Sequence, residues 1–170
     1  MSRSISAMLL CVLLLIGCAR TPSREPTQTP VPAAACPVTQ LVPPETIPTA
    51  AAGPIVGGQV GGPPRVPAMY GNDALWVAIP RDGTSRVRPD SDGWLSDKYR
   101  TVRLIPGTLT AAVRRLDGPA AAGWASIPDG YGSTGFQSFV VHVPTEGCWE
   151  ITQRVANRDL RFVVAIRRAP

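Results

Sequence analysis

Short apolar runs, each closed by a turn signal, recur along the chain from Tyr70 onward. They are spaced by roughly 10–12 residues, and the turns between them contain Asp-Gly, Pro-Gly and Asn-Arg-Asp. The runs are 74–80, 99–105, 108–116, 136–143, 148–155 and 160–166. With 19 Pro and 16 Gly among 170 residues, long helices are disfavoured. The pattern predicts an all-β sandwich or barrel.

Two of these runs show the two-residue period of a strand with one buried face. In the first, His142 lies on the polar face, and the apolar face carries Phe139, Val141 and Val143. In the second, Arg161 lies on the polar face, and the apolar face carries Leu160, Phe162, Val164 and Ile166. The run 108–116 also allows a helical turn, but no segment sustains the 3.6-residue period of a helix.

The segment VHVPTEGCWEI (141–151) resembles the E–F corner of immunoglobulin-like domains. There a strand ends, a turn follows, and Gly-x-aromatic opens the next strand; Gly147 and Trp149 occupy those positions. Thr145 stands where that corner often has Asp, and Trp149 replaces the usual Tyr. The resemblance implies an immunoglobulin-like β-sandwich of about seven to eight strands over residues 70–170. The same segment also resembles the C-termini of uncharacterised bacterial lipoproteins, and that likeness implies no activity.

Residues 1–17 have the three parts of an export signal. Arg3 supplies the positive charge, 5–16 is apolar, and Gly17 is the small residue before the cut. The apolar stretch is shorter than the roughly 20 residues that span a bilayer.

The tetrapeptide Leu15-Ile16-Gly17-Cys18 resembles the lipobox of bacterial lipoproteins. The resemblance implies cleavage between Gly17 and Cys18 and a diacylglyceryl group on the Cys18 sulfur. The chain would then be anchored in a cell membrane and face its extracytoplasmic side, with acyl chains as the membrane contact. The alternative is an ordinary secretory signal, which would release a soluble, unanchored domain.

Two segments separate the lipid site from the strands. Residues 18–35 contain recurrent prolines and no aromatic residue, which predicts a disordered tether. Such a tether can hold a domain about 50 Å from the lipid. Residues 36–69 remain rich in Pro and Gly and are expected to form an irregular N-terminal wrap around the domain.

Two of the four cysteines remain after the export signal and the lipid site are set aside. Cys11 lies inside the signal, which leaves Cys36 and Cys148 on the exported side. An even pair in an oxidising compartment suggests a disulfide that fastens the wrap to a late strand. The alternatives are two separate thiols, with Cys148 buried beside Trp149, or a Cys148–His142 nucleophile pair.

Known catalytic and metal-binding motifs are missing from the sequence. One histidine excludes a multi-His metal site, and no CxxC, HExxH or EF-hand pattern occurs, so no metal or cofactor is expected. Asp90, Asp92 and Asp97 are expected to lie in a solvated loop, with weak cation binding as the alternative. The segment GYGSTGF (130–136) lacks the Gly-x-Ser-x-Gly frame around Ser133 and is expected to be a turn.

A polar loop with aromatic and cationic residues is the best candidate for a binding surface. Its members are Trp94, Lys98, Tyr99 and Arg100. Aromatic side chains on polar loops can stack on sugars or anchor protein contacts. The alternative is that Trp94 and Tyr99 pack at the edge of the core.

These features favour a lipid-anchored, non-catalytic binding or structural module of the cell envelope. An envelope protein or polysaccharide is the expected partner, and nucleic acid is not. Strand arginines such as Arg103, Arg114 and Arg115 could attract anionic envelope polymers, although a solvated face is the simpler interpretation. The alternative function is a small hydrolase acting on cell-wall material. It would require two acids in one pocket, or His142 within hydrogen-bond reach of a nucleophile; a flat face with exposed aromatic residues would favour binding.

Overall fold

The structure, a computed structural model, describes residues 35–56, 68–119 and 122–170. A 3₁₀ turn (Pro44–Thr46) and a short helix α1 (Thr49–Val56) precede nine strands. The strands are β1 (Met69–Gly71), β2 (Leu75–Ala78), β3 (Thr84–Val87), β4 (Leu95–Arg103), β5 (Leu109–Arg115), β6 (Trp124–Ser126), β7 (Gly135–Val143), β8 (Gly147–Val155) and β9 (Arg158–Arg168). Each of the six predicted runs overlaps a strand, and the run 108–116 contains β5 and not a helical turn.

The strands form two sheets that pack as a sandwich. One sheet has the order β1-β2-β4-β7-β6, and the other has the order β3-β9-β8-β5. All pairs are antiparallel except β3 with β9, which is parallel. The order β2-β4-β7-β6 matches the A-B-E-D sheet of an immunoglobulin-like sandwich and β5-β8-β9 matches its C-F-G sheet, with β1 and β3 as additional edge strands. The all-β sandwich prediction is confirmed, and the described residues form nine strands in place of seven to eight.

The core lies between the two sheets and is built from alternate residues of each strand. On β7 the predicted apolar face is buried, whereas His142 on the other face is partly exposed. On β9 the predicted apolar face is buried and Arg161 is exposed. The largest fully buried side chains include Trp149, Tyr99, Phe139 and Phe162.

The turn between β7 and β8 lies where the E–F corner is predicted, but Trp149 acts differently from a corner tyrosine. Trp149 is fully buried, and its Nε1 has no hydrogen-bond partner among the described residues. It therefore contributes packing and not a corner hydrogen bond. A Cβ at Gly147 would lie 2.9 Å from the Asp117 carboxylate and 3.0 Å from Arg115 Nε, so a larger residue there would have to displace this pair of side chains.

The N-terminal segment packs against both sheets. The backbone N–H of Thr39 donates to Val163 O on β9, at 2.9 Å. The N–H of Val42 donates to Met69 O on β1, at 3.2 Å. Ala51 of α1 is buried in a small apolar cluster on the outer face of the five-stranded sheet, together with Met69, Trp76 and Val102. This cluster covers one end of that outer face.

Helix α1 was not predicted, since residues 36–69 were expected to be irregular. It begins after Pro48, whose carbonyl accepts the N–H groups of Ala51 and Ala52 at 2.8 and 3.0 Å. The three consecutive alanines at 50–52 have the highest helix propensity of any residue type. Among the described residues, no helix has the length and apolar character needed to cross a membrane.

Candidate binding surface

The other end of that outer face carries a group of aromatic, polar and cationic side chains on β4, β7 and β6. Ser96 and Trp124 both lie opposite His142 in the strand register, so the three side chains share one face. Lys98 and Arg100 follow Ser96 on that face of β4 with the two-residue period of a strand. We call this surface the open face; it comprises Trp94, Ser96, Lys98, Arg100, Trp124, Ser126 and His142.

Two tryptophans dominate the open face. Trp124 is 50% exposed, which is unusual for so large an apolar side chain. It meets Trp94 edge to face, with ring centroids 6.5 Å apart at an angle of 77°. Its ring also stacks on the imidazole of His142, with centroids 3.9 Å apart at 16°. The stacked imidazole fixes the orientation of the Trp124 ring, which leaves a preorganised aromatic surface in contact with solvent.

The turn before β4 positions Trp94 and Ser96 through one carboxylate. Asp90 Oδ1 accepts the backbone N–H groups of Asp92 and Trp94, at 3.0 and 2.9 Å. Its Oδ2 accepts the hydroxyl of Ser96 at 2.9 Å. Gly93 has a φ of 83°, which a residue with a Cβ rarely adopts, and this allows the tight turn. Asp90 thereby links the backbone of Trp94 to the hydrogen bonds around His142.

His142 contacts a serine through each of its ring nitrogens. Nδ1 lies 2.8 Å from Ser96 Oγ, and Nε2 lies 3.0 Å from Ser126 Oγ. The single hydroxyl proton of Ser96 is directed to the Asp90 carboxylate, because a charged acceptor makes the stronger hydrogen bond. Ser96 Oγ must therefore accept the Nδ1–H of His142, which leaves Nε2 as the acceptor of the Ser126 hydroxyl. Burial lowers the pKa of His142, partly offset by Asp90, so the imidazole is neutral at pH 7.

Three of the four predicted binding residues lie on the open face, and the fourth does not. Trp94 precedes β4 and is half-buried, while Lys98 and Arg100 are exposed. Tyr99 is 2% exposed and stacks on Phe139 in the core, with ring centroids 5.5 Å apart. Including Tyr99 in the binding surface is therefore wrong, because its side chain points to the opposite face of β4 from its two neighbours.

Arg103 also lies inside the protein and not on a solvated strand face. It is 3% exposed, and its guanidinium donates to the backbone carbonyls of Gly107, Gly132 and Ser133. It lines a cavity of about 410 Å³ beside the segment 129–133. Because the guanidinium donates to three backbone carbonyls, it holds the glycine-rich loop (129–133) against β4. Ser133 accepts one of these hydrogen bonds through its backbone carbonyl. This agrees with the predicted turn and not with a nucleophile elbow.

The acidic residues near the open face do not converge. Asp90 and Asp92 lie in the turn, whereas Asp97 faces inward and accepts a hydrogen bond from Ser85. The buried hydroxyl of Tyr99 lies near Asp97, and burial together with that carboxylate raises its pKa well above the usual value. Within residues 35–56, 68–119 and 122–170, no group of three His, Cys, Asp or Glu side chains is placed to hold a metal ion.

Cys36 and Cys148, which the sequence predicts to pair, are bonded to each other. Cys36 and Cys148 form a disulfide with a Cα–Cα distance of 5.4 Å. Because Cys148 is bonded in this way, it has no thiol with which to act beside His142. Gly17 and Cys18, the predicted cleavage and lipidation residues, lie outside the described residues.

No protein-family model, no curated protein and no solved structure matches this chain.

Trp124, Ser126 and Ser96 are the members of the open face that sequence analysis did not single out. Trp124 and Ser126 lie on β6, a three-residue strand whose segment, WAS, is too short to show periodicity. Ser96 was detectable, since it stands two residues from both Trp94 and Lys98 and so shares their face of a strand.

Proposed function

We propose that this protein is a lipid-anchored binding module of the cell envelope whose open face binds an acidic polysaccharide. The observation that carries the proposal is the edge-to-face pair of half-buried Trp94 and exposed Trp124, which continues along β4 into Lys98 and Arg100. Aromatic rings offer apolar faces to sugar rings, and the two cations offer charge-assisted hydrogen bonds to carboxylate or phosphate groups. Successive positions on one face of β4 are about 7 Å apart, so an extended chain can contact all of them.

The charge of the chain supports an acidic ligand over a neutral one. The formal net charge is +5, with 17 Lys and Arg against 12 Asp and Glu. Part of that charge is neutralised elsewhere on the domain, as in the pairs Arg114–Glu150 at 3.0 Å and Arg154–Asp159 at 2.6 Å. In contrast, Lys98 and Arg100 have no ion pair among the described residues. Their charge is therefore available to steer an anionic polymer to the open face.

The proposed membrane location is supported by sequence features of the first 35 residues. The lipobox-like tetrapeptide supports acylation of Cys18, and the Pro-rich segment after it supports a spacer between the lipid and the sandwich. A domain held in this way would search for polymer within reach of the membrane, where tethering raises its effective concentration.

Replacing Trp124 by alanine is expected to weaken binding to polygalacturonate, a polymer of sugar acids, by at least about tenfold. The reason is the loss of the most exposed aromatic ring on the open face. Titration of the purified protein with the polymer, followed by tryptophan fluorescence or calorimetry, measures the affinity. Dextran, which carries no charge, is the comparison polymer and is expected to bind weakly.

A matched pair of charge variants provides the control. Lys98→Ala with Arg100→Ala removes two charges from the open face, and Arg161→Ala with Arg167→Ala removes two exposed charges from β9 in the other sheet. Only the first pair is expected to weaken binding and to reduce its salt dependence. Equal losses from both pairs, or unchanged affinity of Trp124→Ala, would contradict the proposed surface.

Replacing Cys18 by alanine is expected to abolish incorporation of a fatty acid analogue and to move the protein from the membrane fraction to the soluble fraction. The acyl chains would be its membrane contact, and each buried CH₂ contributes about 0.8 kcal/mol. Metabolic labelling in a bacterial host measures the effect. Cys11→Ala, a substitution within the export signal, should retain full labelling. Equal labelling of the Cys18 variant and the wild type would refute lipid anchoring.

A further inference from the structure

Asp90, Ser96, His142 and Ser126 form a continuous chain of hydrogen bonds across the open face. The three links measure 2.9, 2.8 and 3.0 Å, from carboxylate to hydroxyl, hydroxyl to imidazole, and imidazole to hydroxyl. These hydrogen bonds connect the turn before β4 with strands β4, β7 and β6. We propose that it is a catalytic arrangement in which Ser126 attacks small carboxylic esters and His142 is the general base.

The proton positions derived above give each member one role. Nε2 of the neutral His142 accepts the hydroxyl proton of Ser126, which is the contact that makes a serine nucleophilic. The Nδ1–H of His142 donates to Ser96, and the Ser96 hydroxyl donates to Asp90. Ser96 and Asp90 are therefore positioning residues, which hold the tautomer and the ring orientation of His142. An activated serine is recognised by this geometry of nucleophile, base and orienting group, and not by a sequence motif.

Two further features support catalysis: the stacking of Trp124 on His142 and the position of β6 at the edge of its sheet. Trp124 covers one face of the imidazole and limits its contact with water, which favours the neutral form of His142, the form that can accept a proton. In the described part of the chain, β6 is the outermost strand of its sheet. An edge strand has unpaired backbone N–H groups, and the proposal assigns to those of β6 the hydrogen bonds to the negative oxygen that develops on the substrate.

The proposed reaction is a two-step acyl transfer to water. Ser126 Oγ bonds to the ester carbonyl carbon while its proton passes to His142 Nε2, and the alcohol leaves with that proton as the C–O bond breaks. Water then attacks the acyl-serine, gives a proton to Nε2, and the carboxylic acid leaves as the serine regains its proton. If the open face binds a polysaccharide, the natural substrate is an O-acyl group on a sugar; only that assignment rests on the proposed function.

The direct test uses p-nitrophenyl acetate and a fluorophosphonate with the purified full-length protein. Neither probe needs a polysaccharide, so failure here is distinguishable from failure of polysaccharide binding. The wild type is expected to hydrolyse the ester and to take up one phosphonyl group, mapped by mass spectrometry to Ser126, with loss of fluoride. Ser126→Ala should lose the label and at least about 100-fold in rate, as should His142→Asn, since general-base catalysis contributes that much.

Three further variants separate catalysis from a purely structural network. Ser96→Ala is expected to slow phosphonylation about tenfold, and Ser96→Thr, which keeps the hydroxyl, should restore it. Ser91→Ala, which removes an exposed hydroxyl from the same turn, should have no effect. All variants are compared at equal folded fraction, checked by circular dichroism. Absence of label in the wild type, label on another serine, or an unchanged rate in Ser126→Ala would overturn the proposal.

Discussion

Replacing both Cys36 and Cys148 by alanine is expected to lower the free energy of unfolding by about 4–5 kcal/mol. The disulfide joins residues 112 positions apart, so it closes a long loop and removes a large amount of conformational entropy from the unfolded chain. The bond also holds the N-terminal segment against β8 and β9, next to the hydrogen bonds between Thr39 and Val163. Its loss should therefore free that segment as well as destabilise the sandwich.

Urea unfolding at equilibrium, with and without a reductant, measures the effect. The reduced wild type and the double alanine variant should have similar midpoints, both well below that of the oxidised protein. The double variant avoids leaving a single free thiol, which either single substitution would create. A change of less than about 1 kcal/mol would show that the unfolded chain is already compact, or that the cross-link strains the native state.

The long strands could be predicted from the sequence because their pattern is local. The strands β7, β8 and β9 span 9, 9 and 11 residues and bury alternate residues, which is the signal that hydrophobic periodicity detects. The short strands β1, β3 and β6 contain three or four residues, and pairing with longer neighbours decides their structure. A three-residue segment such as WAS has no period to read, so its strand depends on tertiary context.

The candidate surface was predictable in part. Trp94, Lys98 and Arg100 have the same parity along the chain, and Tyr99 has the opposite parity, so a strand through these positions separates Tyr99 from the others. The polar composition of this segment predicts a loop, whereas β4 begins at Leu95. The contact of His142 with Ser96 and Ser126 depends on the register of β4 and β6 against β7. Register between distant strands is set by global packing, which one sequence does not show.

No pattern in the neighbouring sequence predicts the burial of Arg103 either. Arg103 lies on the inward face of β4 with Tyr99, and an arginine at the end of an apolar run is ordinarily exposed. Its burial is possible because the glycine-rich loop supplies carbonyl oxygens from Gly132 and Ser133, with a third from Gly107. The loop and the strand come from distant parts of the chain, so the partner that makes this burial tolerable appears only in the folded protein.

Replacing Trp149 by alanine is expected to lower the free energy of unfolding by about 3–5 kcal/mol, the range for a large aromatic residue removed from a core. Trp149 is fully buried, and its ring packs beside Val113 and Gly123, where a Cβ on the glycine would lie 3.2 Å from the ring. The Arg115 guanidinium lies 5.9 Å from the ring centroid, so a cation–π contact would also be lost. Backbone atoms and neighbouring strands surround the site, which leaves little freedom to fill the cavity.

Trp124→Ala is the matched comparison, since it removes the same side chain from a half-exposed position on the open face. It should cost no more than about 1 kcal/mol of stability, because surface substitutions disturb little packing. Urea unfolding of both variants gives the two values under one condition. Similar losses from the two substitutions would mean that the open face is part of the folding core. A much smaller loss of unfolding free energy from Trp124→Ala would show that the fold does not depend on this tryptophan. That result is expected if Trp124 contacts a ligand, as proposed.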